Sequence, residues 1–600
     1  MVEITRHAEP SATAGETRHA TLATPAGEPG APARRPSWLA DAVFYEVYPQ
    51  SFHDTNGDGI GDIPGITAKL DYIRDLGCNA LWINPCYDSP FKDAGYDVRD
   101  YTKVAPRYGT NGDLVALFEE AHRRGMHVLL DLVPGHTSEE HAWFRASARA
   151  DHADRTVPAT ASPATPVDVS ERYIWTDCWI SGGDGLPFVG GEAERDGTYI
   201  LNFFKCQPAL NYGFAHPNQP WQKPALGPDA LATCDAMLDV MRFWLSRGAD
   251  GFRVDMSDSL VKHDEDGKPF TIRTWRHMFA QIRPEFPEAA FVAEWGRPYE
   301  SMQAGFDMDF YLDWRWGGWP NGYNMLLRNT DTPLTRDGDA SYFNADSGAA
   351  IKPFLDQYLP QLADCERAGG LFDLITCNHD TIRVGQRLTA RELKVAYGML
   401  LTMPGCPFVY YGDEIGMRYR PLPTKEGGYV RTGSRTPMQW SPDAPNLGFS
   451  GAAADTAAGV ADPYLPVDPA PDAPTVAAAQ TDPESLWHWI REVLAFRHAT
   501  PALAATAGFE VVAGRDGGRA FAFRRVARDG GMAHGAGARP GATAGDVVVA
   551  MNPGRDTVTI DVPARGVRDD DARTIALSIG GPSLDAGALI LPPQSFAILR

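Results

Sequence analysis

The chain has 600 residues, 44% of them hydrophobic, 22% charged and 10% aromatic, with a formal net charge of −22. This is ordinary globular composition with enough apolar mass for a large core, and the acidic balance excludes a nucleic-acid partner, which needs clustered Lys and Arg. No stretch reads as a membrane span, and the N-terminus lacks the charged-then-apolar pattern of a signal peptide. None of the eight cysteines stands in a C-x-x-C pair, and Cys78, Cys86, Cys377 and Cys406 lie in or beside apolar runs. They read as reduced, buried thiols, so the expected compartment is the cytoplasm.

Residues 1–36, rich in Ala, Pro, Thr, Glu and Gly and without period, read as a disordered tail. A strand is expected at 43–47, a helix face at Ile66, Leu70 and Ile73, and a second strand at 80–84. Leu114, Leu117, Phe118 and Ala121 mark the next helix, and 127–133 a third strand. Strands alternating with helices imply a parallel sheet with crossover helices. The alternation breaks over 137–213, which is rich in Pro, Ala and aromatics and reads as an insertion after the third strand. It resumes with strands at 251–255, 291–294, near Asp309, at 371–377 and at 407–411, with helices between. Eight strands predict a (β/α)8 barrel formed by 37–136 and 214–506. From 507 to 600 short alternating strands, at 520–526, 546–552, 557–562 and 595–599, predict a C-terminal antiparallel β domain.

Three of the barrel motifs end in or carry a carboxylate: Gly-Phe-Arg-Val-Asp at 251–255, Val-Ala-Glu-Trp at 292–295 and Asn-His-Asp at 378–380. In such a barrel the C-terminal ends of the strands carry the chemistry, so Asp255, Glu294 and Asp380 are expected to converge on one pocket. Retaining cleavage of a glycosidic bond needs two carboxyl groups about 5 Å apart, one as nucleophile and one as acid/base. Arg253, two residues before Asp255, shares its strand face and is expected to favour the ionised form of that carboxylate. Glu294, in an apolar context before Trp295, is expected to have its pKa raised into the working range of an acid.

With these motifs stand Phe44-Tyr45-Glu46-Val47-Tyr48-Pro49-Gln50-Ser51-Phe52, Tyr410-Tyr411-Gly412-Asp413-Glu414-Ile415-Gly416-Met417 and Arg435-Thr436-Pro437-Met438-Gln439-Trp440. From about Trp38 to Phe449 the chain resembles the α-amylase family of glycoside hydrolases and transglycosidases. Within it, the chain is similar to the branch of oligo-1,6-glucosidases, α-glucosidases and trehalose synthases. The resemblance implies Asp255 as nucleophile, Glu294 as acid/base and Asp380 as transition-state stabiliser, with Arg253 orienting the nucleophile. It further implies that His136 and His379 bind sugar hydroxyls, that Tyr96 stacks on the sugar ring, and that Asp93 and Arg383 pair to grip a terminal glucose. The expected partner is a short α-glucoside or oligosaccharide, acted on by hydrolysis or transfer, or isomerised as in a trehalose synthase. A non-catalytic binding relative would have eroded the carboxylates, and all three are present. No organic cofactor is expected, and the sequence sets no oligomeric state.

The segment Asp54-Thr55-Asn56-Gly57-Asp58-Gly59-Ile60-Gly61-Asp62 alternates oxygen side chains with glycines, the pattern of a hard-cation loop. Its candidate ligand positions are Asp54, Asn56, Asp58, Ile60 and Asp62, and the resemblance implies structural calcium or magnesium there. Gly135 and Ala209 stand where the family usually has Asn and Asp, which argues against a second ion between barrel and insertion. Asp258 and Ser259 replace a frequent Lys-His after the nucleophile, a departure that points away from polymer substrates.

Overall fold

The structure is a computed structural model that describes residues 35–159, 166–178, 183–310, 322–328, 340–450, 461–528, 545–563 and 573–600. The expected disordered tail falls on 1–36 and so lies, apart from its last two residues, outside the described residues. Most of the Gly-rich stretch at 528–546 lies outside them too.

Eight parallel strands run in chain order around one sheet: β1 (Phe44–Val47), β2 (Ala80–Ile83), β3 (His127–Leu132), β4 (Gly251–Val254), β5 (Ala290–Ala293), β6 (Met308–Phe310), β7 (Leu371–Asp373) and β8 (Phe408–Tyr410). β1 pairs with both β2 and β8, and the Ile375–Phe408 bridge joins the β7 end to β8, closing a (β/α)8 barrel. Apart from His127 at the entry of β3, every residue of these strands is buried. Burial on both faces explains why they read as apolar runs rather than as alternating ones.

Local chemistry fixes where the surrounding helices begin. Thr110 and Asp113 form a reciprocal cap on α1 (Asn111–Arg123), and Thr389 and Glu392 do the same for α2 (Ala390–Leu400). The 137–213 stretch carries two short antiparallel pairs, Thr156–Pro158 with Pro166–Asp168 and Phe188–Gly190 with Thr198–Ile200. It is tied back by the His136–Ala209 bridge.

After the helix α3 (Leu486–Ala499) come a five-stranded antiparallel sheet and a three-stranded one. The apolar core is continuous across residue 507. Trp489 packs edge-on against Phe596 at 5.6 Å, and a Cβ on Gly398 would stand 2.9 Å from that same ring, so only glycine lets the two surfaces approach this closely. The buried Arg525 donates to the carbonyls of Thr402 and Ala504, both at 2.7 Å, which fixes the sheet to the barrel. No helix among the described residues is long and apolar enough to cross a membrane, and the eight cysteines are all free thiols.

Candidate active site

β4 and β5 are neighbours in register, Val254 opposite Ala293. The residues that follow, Asp255 and Glu294, therefore emerge side by side at the C-terminal end of the barrel. The Asp255 N–H donates to the Leu132 carbonyl (2.8 Å) and the Glu294 N–H to the Val254 carbonyl (3.0 Å), so both backbones continue the sheet. The next residue, Met256, takes a left-handed turn at φ 39° and aims its N–H at Glu294 Oε2, 3.0 Å away. A positive φ at a non-glycine residue is a strained conformation of the kind that collects at functional sites.

Arg253, 2% exposed, sits at the hub. Its register partner on β3 is Asp131, and Nη1 donates to Asp131 Oδ1 (2.8 Å) and Asp255 Oδ1 (3.2 Å). Nη2 pairs with Glu294 Oε2 at 2.6 Å. One guanidinium thus serves three carboxylates, and it acts on Asp255 in the expected direction, favouring the ionised form, but two larger influences oppose it. Burial, then the adjacent Glu294, push Asp255 well above the usual carboxylate range against the pull of Arg253. Burial also raises Glu294, and its side chain is in hydrogen-bond contact with Asp255. Two buried carboxylates in contact hold one proton between them.

Asp380 has the opposite character. Arg435 Nη2 and Arg431 Nη1 donate to its Oδ1 at 2.7 and 3.0 Å, and its own N–H donates to Asn378. Burial opposes the charge, but His379, Arg431 and Arg435 overcome it and hold this carboxyl well below the ordinary range. Burial keeps the His379 ring itself neutral, so the two permanent guanidiniums carry the effect.

A polar floor connects these groups. His379 is fully buried, with Nδ1 2.8 Å from Glu46 Oε1 and Nε2 2.7 Å from the Tyr96 hydroxyl. Asn84 Nδ2 donates to Glu46 Oε1 (3.2 Å), and the Tyr96 hydroxyl and Trp82 indole N–H both reach Asp131 Oδ2 at 3.1 Å. Burial raises Glu46 well above its usual range and Asp131 to about 6, Arg253 pulling both back. His136 rests against the Tyr96 backbone and takes Asn202 Nδ2 on its Nδ1 (3.1 Å), while its buried Nε2 has no hydrogen-bond partner among the described residues. Burial lowers its pKa to about 3. A Cβ at Gly135 would come within 2.7 Å of Asn202 Nδ2, so glycine leaves the room that Asn202 fills. Lys262 Nζ donates to Asn202 Oδ1 at 2.7 Å, bringing an ammonium into this region.

Asp93 accepts from Gln207 Nε2 (2.7 Å), and Arg431 Nη2 stands 3.7 Å from its Oδ1. Burial raises Asp93 to about 6, with Arg431 and Gln207 acting against it. The structure therefore brings together Asp255, Glu294, Asp380, Arg253, Tyr96, His136, His379 and Asp93, but not Arg383. Arg383 is fully buried, lies over the Tyr410 and Tyr411 rings, and donates to the Tyr411 carbonyl (2.7 Å) and Asp413 Oδ1 (3.0 Å). Asp413 claims its charge, so the expected pair with Asp93 does not form. Arg431, from the loop after β8, faces Asp93 instead.

Glu46, Asn84, Asp131, Gln207, Arg431 and Arg435 were not singled out from the sequence as site residues. Asp131 interrupts an apolar run inside β3, with Leu132 and Val133 after it, so the strand-end rule does not reach it, and Arg435 opens the quoted Arg-Thr-Pro-Met-Gln-Trp motif. Gln207 and Arg431 lie in irregular chain with no periodic signal.

The cation loop holds itself together. Asp54 accepts from the Gly57 and Gly59 N–H groups, Asn56 from Asp58, Asp58 from Ile60, and Asp62 from Thr55 and Gly65. The bonds of Asn56 and Asp58 are Asx turns, and Asp62 caps the helix Ile63–Ala68 through Gly65. The donor atoms are right for a hard cation, but among the described residues no three His, Cys, Asp or Glu side chains converge as a metal-binding group.

Residues 46–506 match the alpha amylase catalytic domain. The trehalose synthase/amylase TreS of Mycolicibacterium smegmatis is 33% identical over 78% of this chain and 77% of that protein, and the oligo-1,6-glucosidase of Heyndrickxia coagulans 30% identical over 77% and 85%. Among solved structures, the trehalulose synthase MutB of Pseudomonas mesoacidophila superposes with a TM-score of 0.69 at 24% identity, covering 95% of this chain and 100% of that one, which is a likeness of fold. With its barrel and its catalytic-domain match over most of its length, the chain belongs to the alpha-amylase family of glycoside hydrolases and transglycosidases.

Proposed function

We propose that this family member is a retaining α-glucosidase or transglucosylase acting on short α-glucosides through a covalent glycosyl-enzyme. Glu294 donates its proton to the glycosidic oxygen as Asp255 attacks the anomeric carbon, breaking the C–O bond and leaving a glucosyl ester on Asp255. Glu294, now ionised, takes a proton from the incoming hydroxyl, whose oxygen displaces Asp255 and restores both groups. The carrying observation is the contact of Asp255 and Glu294 across neighbouring strand ends on one guanidinium. Such closeness favours retention, because an inverting pair stands roughly 6.5–9.5 Å apart to admit a water between. Asp380, kept ionised, suits hydrogen bonds from sugar hydroxyls, and Asp93 with Arg431 suits a terminal glucose.

The second reading is isomerisation of the trehalose synthase type, in which the released glucose is retained and recombines. The similarity to the TreS relative favours it. A panel of maltose, sucrose and trehalose, followed by anomer-resolved NMR of the first product, tests both: α-glucose alone supports hydrolysis, a new disaccharide supports transfer or isomerisation, and a β-product rejects the retaining mechanism. Asp255→Asn is expected to lower kcat by ~10⁴-fold; a variant as active as the parent removes the assignment.

No step is routed through a metal. A structural calcium or magnesium ion at Asp54–Asp62 would have to displace the backbone hydrogen bonds that now occupy the loop, and a loss of Tm in EDTA, restored by Ca²⁺ or Mg²⁺, is the test. The free thiols support a reducing, cytoplasmic setting, which cell fractionation tests.

A further inference from the structure

Away from the catalytic groups, a cavity of about 210 Å³ lies between the Thr156–Pro158 hairpin and the helix α4 (Pro228–Leu245) that leads into β4. That volume is several times what one water requires. Arg172 lines it, 5% exposed, with its guanidinium over the Trp143 ring (Cζ to ring centroid 4.9 Å). Among the described residues neither a hydrogen-bond acceptor nor an ion pair reaches that guanidinium. The buried Tyr212 hydroxyl, which feels the Arg172 charge, also has no partner. The Asp235 charge acts on Arg172, but a buried guanidinium without a direct acceptor is costly, so its nitrogens favour water or a ligand in the cavity that offers one.

The other walls say what kind of molecule fits. Asp235 and Asp239, one helical turn apart on α4, line the same space, Asp239 sharing its charge with Arg242 at 3.3 Å. An anion that satisfied Arg172 would face two carboxylates, and a cation that satisfied the carboxylates would face Arg172. A neutral molecule with several hydroxyls meets both, since each hydroxyl accepts from a guanidinium and donates to a carboxylate. Val157 and Val169 supply an apolar wall for the C–H face of a ring. We propose that this cavity is a second, non-catalytic saccharide site, in which Arg172 donates to, and Asp235 and Asp239 accept from, the hydroxyls of a single neutral sugar unit. It shares no residue with the catalytic site and stands whether or not the reaction assigned above is right.

Equilibrium dialysis of the full chain carrying Asp255→Asn, with labelled maltose and separately with labelled glucose up to about 10 mM, reads the stoichiometry. Two molecules bound per chain, falling to one in Asp255→Asn/Arg172→Met, is the expected result. The exposed Asp235→Ala, which leaves buried packing alone, is expected to weaken the second event about tenfold. Circular dichroism of each variant ensures that an unfolded Arg172→Met is not counted. A single event up to that concentration, a second event untouched by Asp235→Ala, or competition by inorganic phosphate in place of sugar overturns the proposal. Parent-like turnover in Asp255→Asn, with two intact binding events, would instead fault the catalytic assignment and leave the second site standing.

Discussion

The floor and the rim of this site are held by different means. Glu46, Asn84, Asp131, Arg253, Asp255 and Glu294 sit on barrel strands or directly after them, where β-sheet register sets each side chain against its neighbour. The rim comes from the insertion and from the loop after β8: Phe203, Phe204, Tyr429, Val430 and Arg431. Phe203, Tyr429 and Val430 are 47%, 59% and 68% exposed. Their loop takes three left-handed residues within four positions, Glu426 (φ 46°), Gly427 (φ 64°) and Tyr429 (φ 46°). It is fastened at one end by the Arg107–Glu426 ion pair (2.9 Å) and the Tyr464 hydroxyl on Glu426 (2.7 Å). The floor is rigid because a sheet determines it many times over, whereas the rim depends on a few contacts. Arg431 couples the two, reaching from the loop to Asp380 on the floor and toward Asp93.

Arg431 is therefore where the distinction breaks most readily. Arg431→Ala removes one of the two guanidiniums on Asp380 and leaves a buried carboxylate short of a partner. Truncating a buried, hydrogen-bonded charge pair costs about 2–5 kcal/mol, so kcat/KM on maltose is expected to fall by ~10²-fold or more while Tm moves little. Arg383→Ala should do the reverse, since Arg383 holds Asp413 just past the end of β8 and pairs with none of the site residues among the described residues: Tm falls and the KM of the remaining folded enzyme stays near that of the parent. If the two variants exchange these signatures, the pairing of Asp93 with Arg431 is wrong.

How far the sequence reached follows the same line. Register and burial make a strand legible, because an apolar run that ends in a carboxylate announces both the strand and the direction of its last side chain. Asp255, Glu294 and the eight strands were readable on that ground, whereas Asp131, inside its strand with Leu132 and Val133 after it, was not. Arg383 misled because it follows Asp380 by three residues, yet its guanidinium pairs with Asp413 after β8 rather than with Asp93. Arg431 carries no periodic signal, and its approach to the site depends on the left-handed turns at Glu426 and Tyr429, which side-chain types there do not foretell. The pull of Arg253 on Asp255 was legible, but its being outweighed by burial and by the contact with Glu294 follows from the packing of the two strand ends, which the sequence does not show.

Glu46 tests the floor by itself. Its Oε1 is bonded by His379 Nδ1, and its Oε2 is buried without a hydrogen-bond partner among the described residues. Glu46→Gln keeps an acceptor oxygen and is expected to lose less than tenfold in kcat. Glu46→Leu leaves the His379 ring without its partner, and the loss should reach about 10–100-fold, the cost of an unsatisfied buried group. A wholly packing role would make the two variants lose Tm alike and kcat not at all.

Protonation sharpens the comparison further. Asp93 at the rim has its pKa raised to about 6, chiefly by burial, so it loses its charge as pH falls below about 6, where an ordinary aspartate near 3.9 is still ionised. The acid limb of kcat/KM should accordingly bend near pH 6 and, in Asp93→Asn, move lower or vanish with a raised KM. Asp131 on the floor shares that value, so an Asp93→Asn profile that still bends near pH 6 would assign the limb to the floor instead.

The smallest effect is expected at the outermost residues. The Phe204 and Tyr429 rings lie 6.0 Å apart, Phe203 stacks beside Phe204 at 4.4 Å, and a Cβ on Gly427 would touch both Phe204 and Asp93 at 3.0 Å. These rings border the entry above Asp93, where the second sugar of a disaccharide has an aromatic edge to rest on. An aromatic contact of this kind is worth about 0.5–1.5 kcal/mol, so Tyr429→Ala should raise KM for maltose roughly two- to tenfold. Its kcat for an activated glucoside with a small leaving group should remain unchanged, because that substrate does not reach the rim. An equal loss on both substrates would mean that Tyr429 acts by shaping the loop, and that the rim is a support for Arg431 rather than a surface for the acceptor.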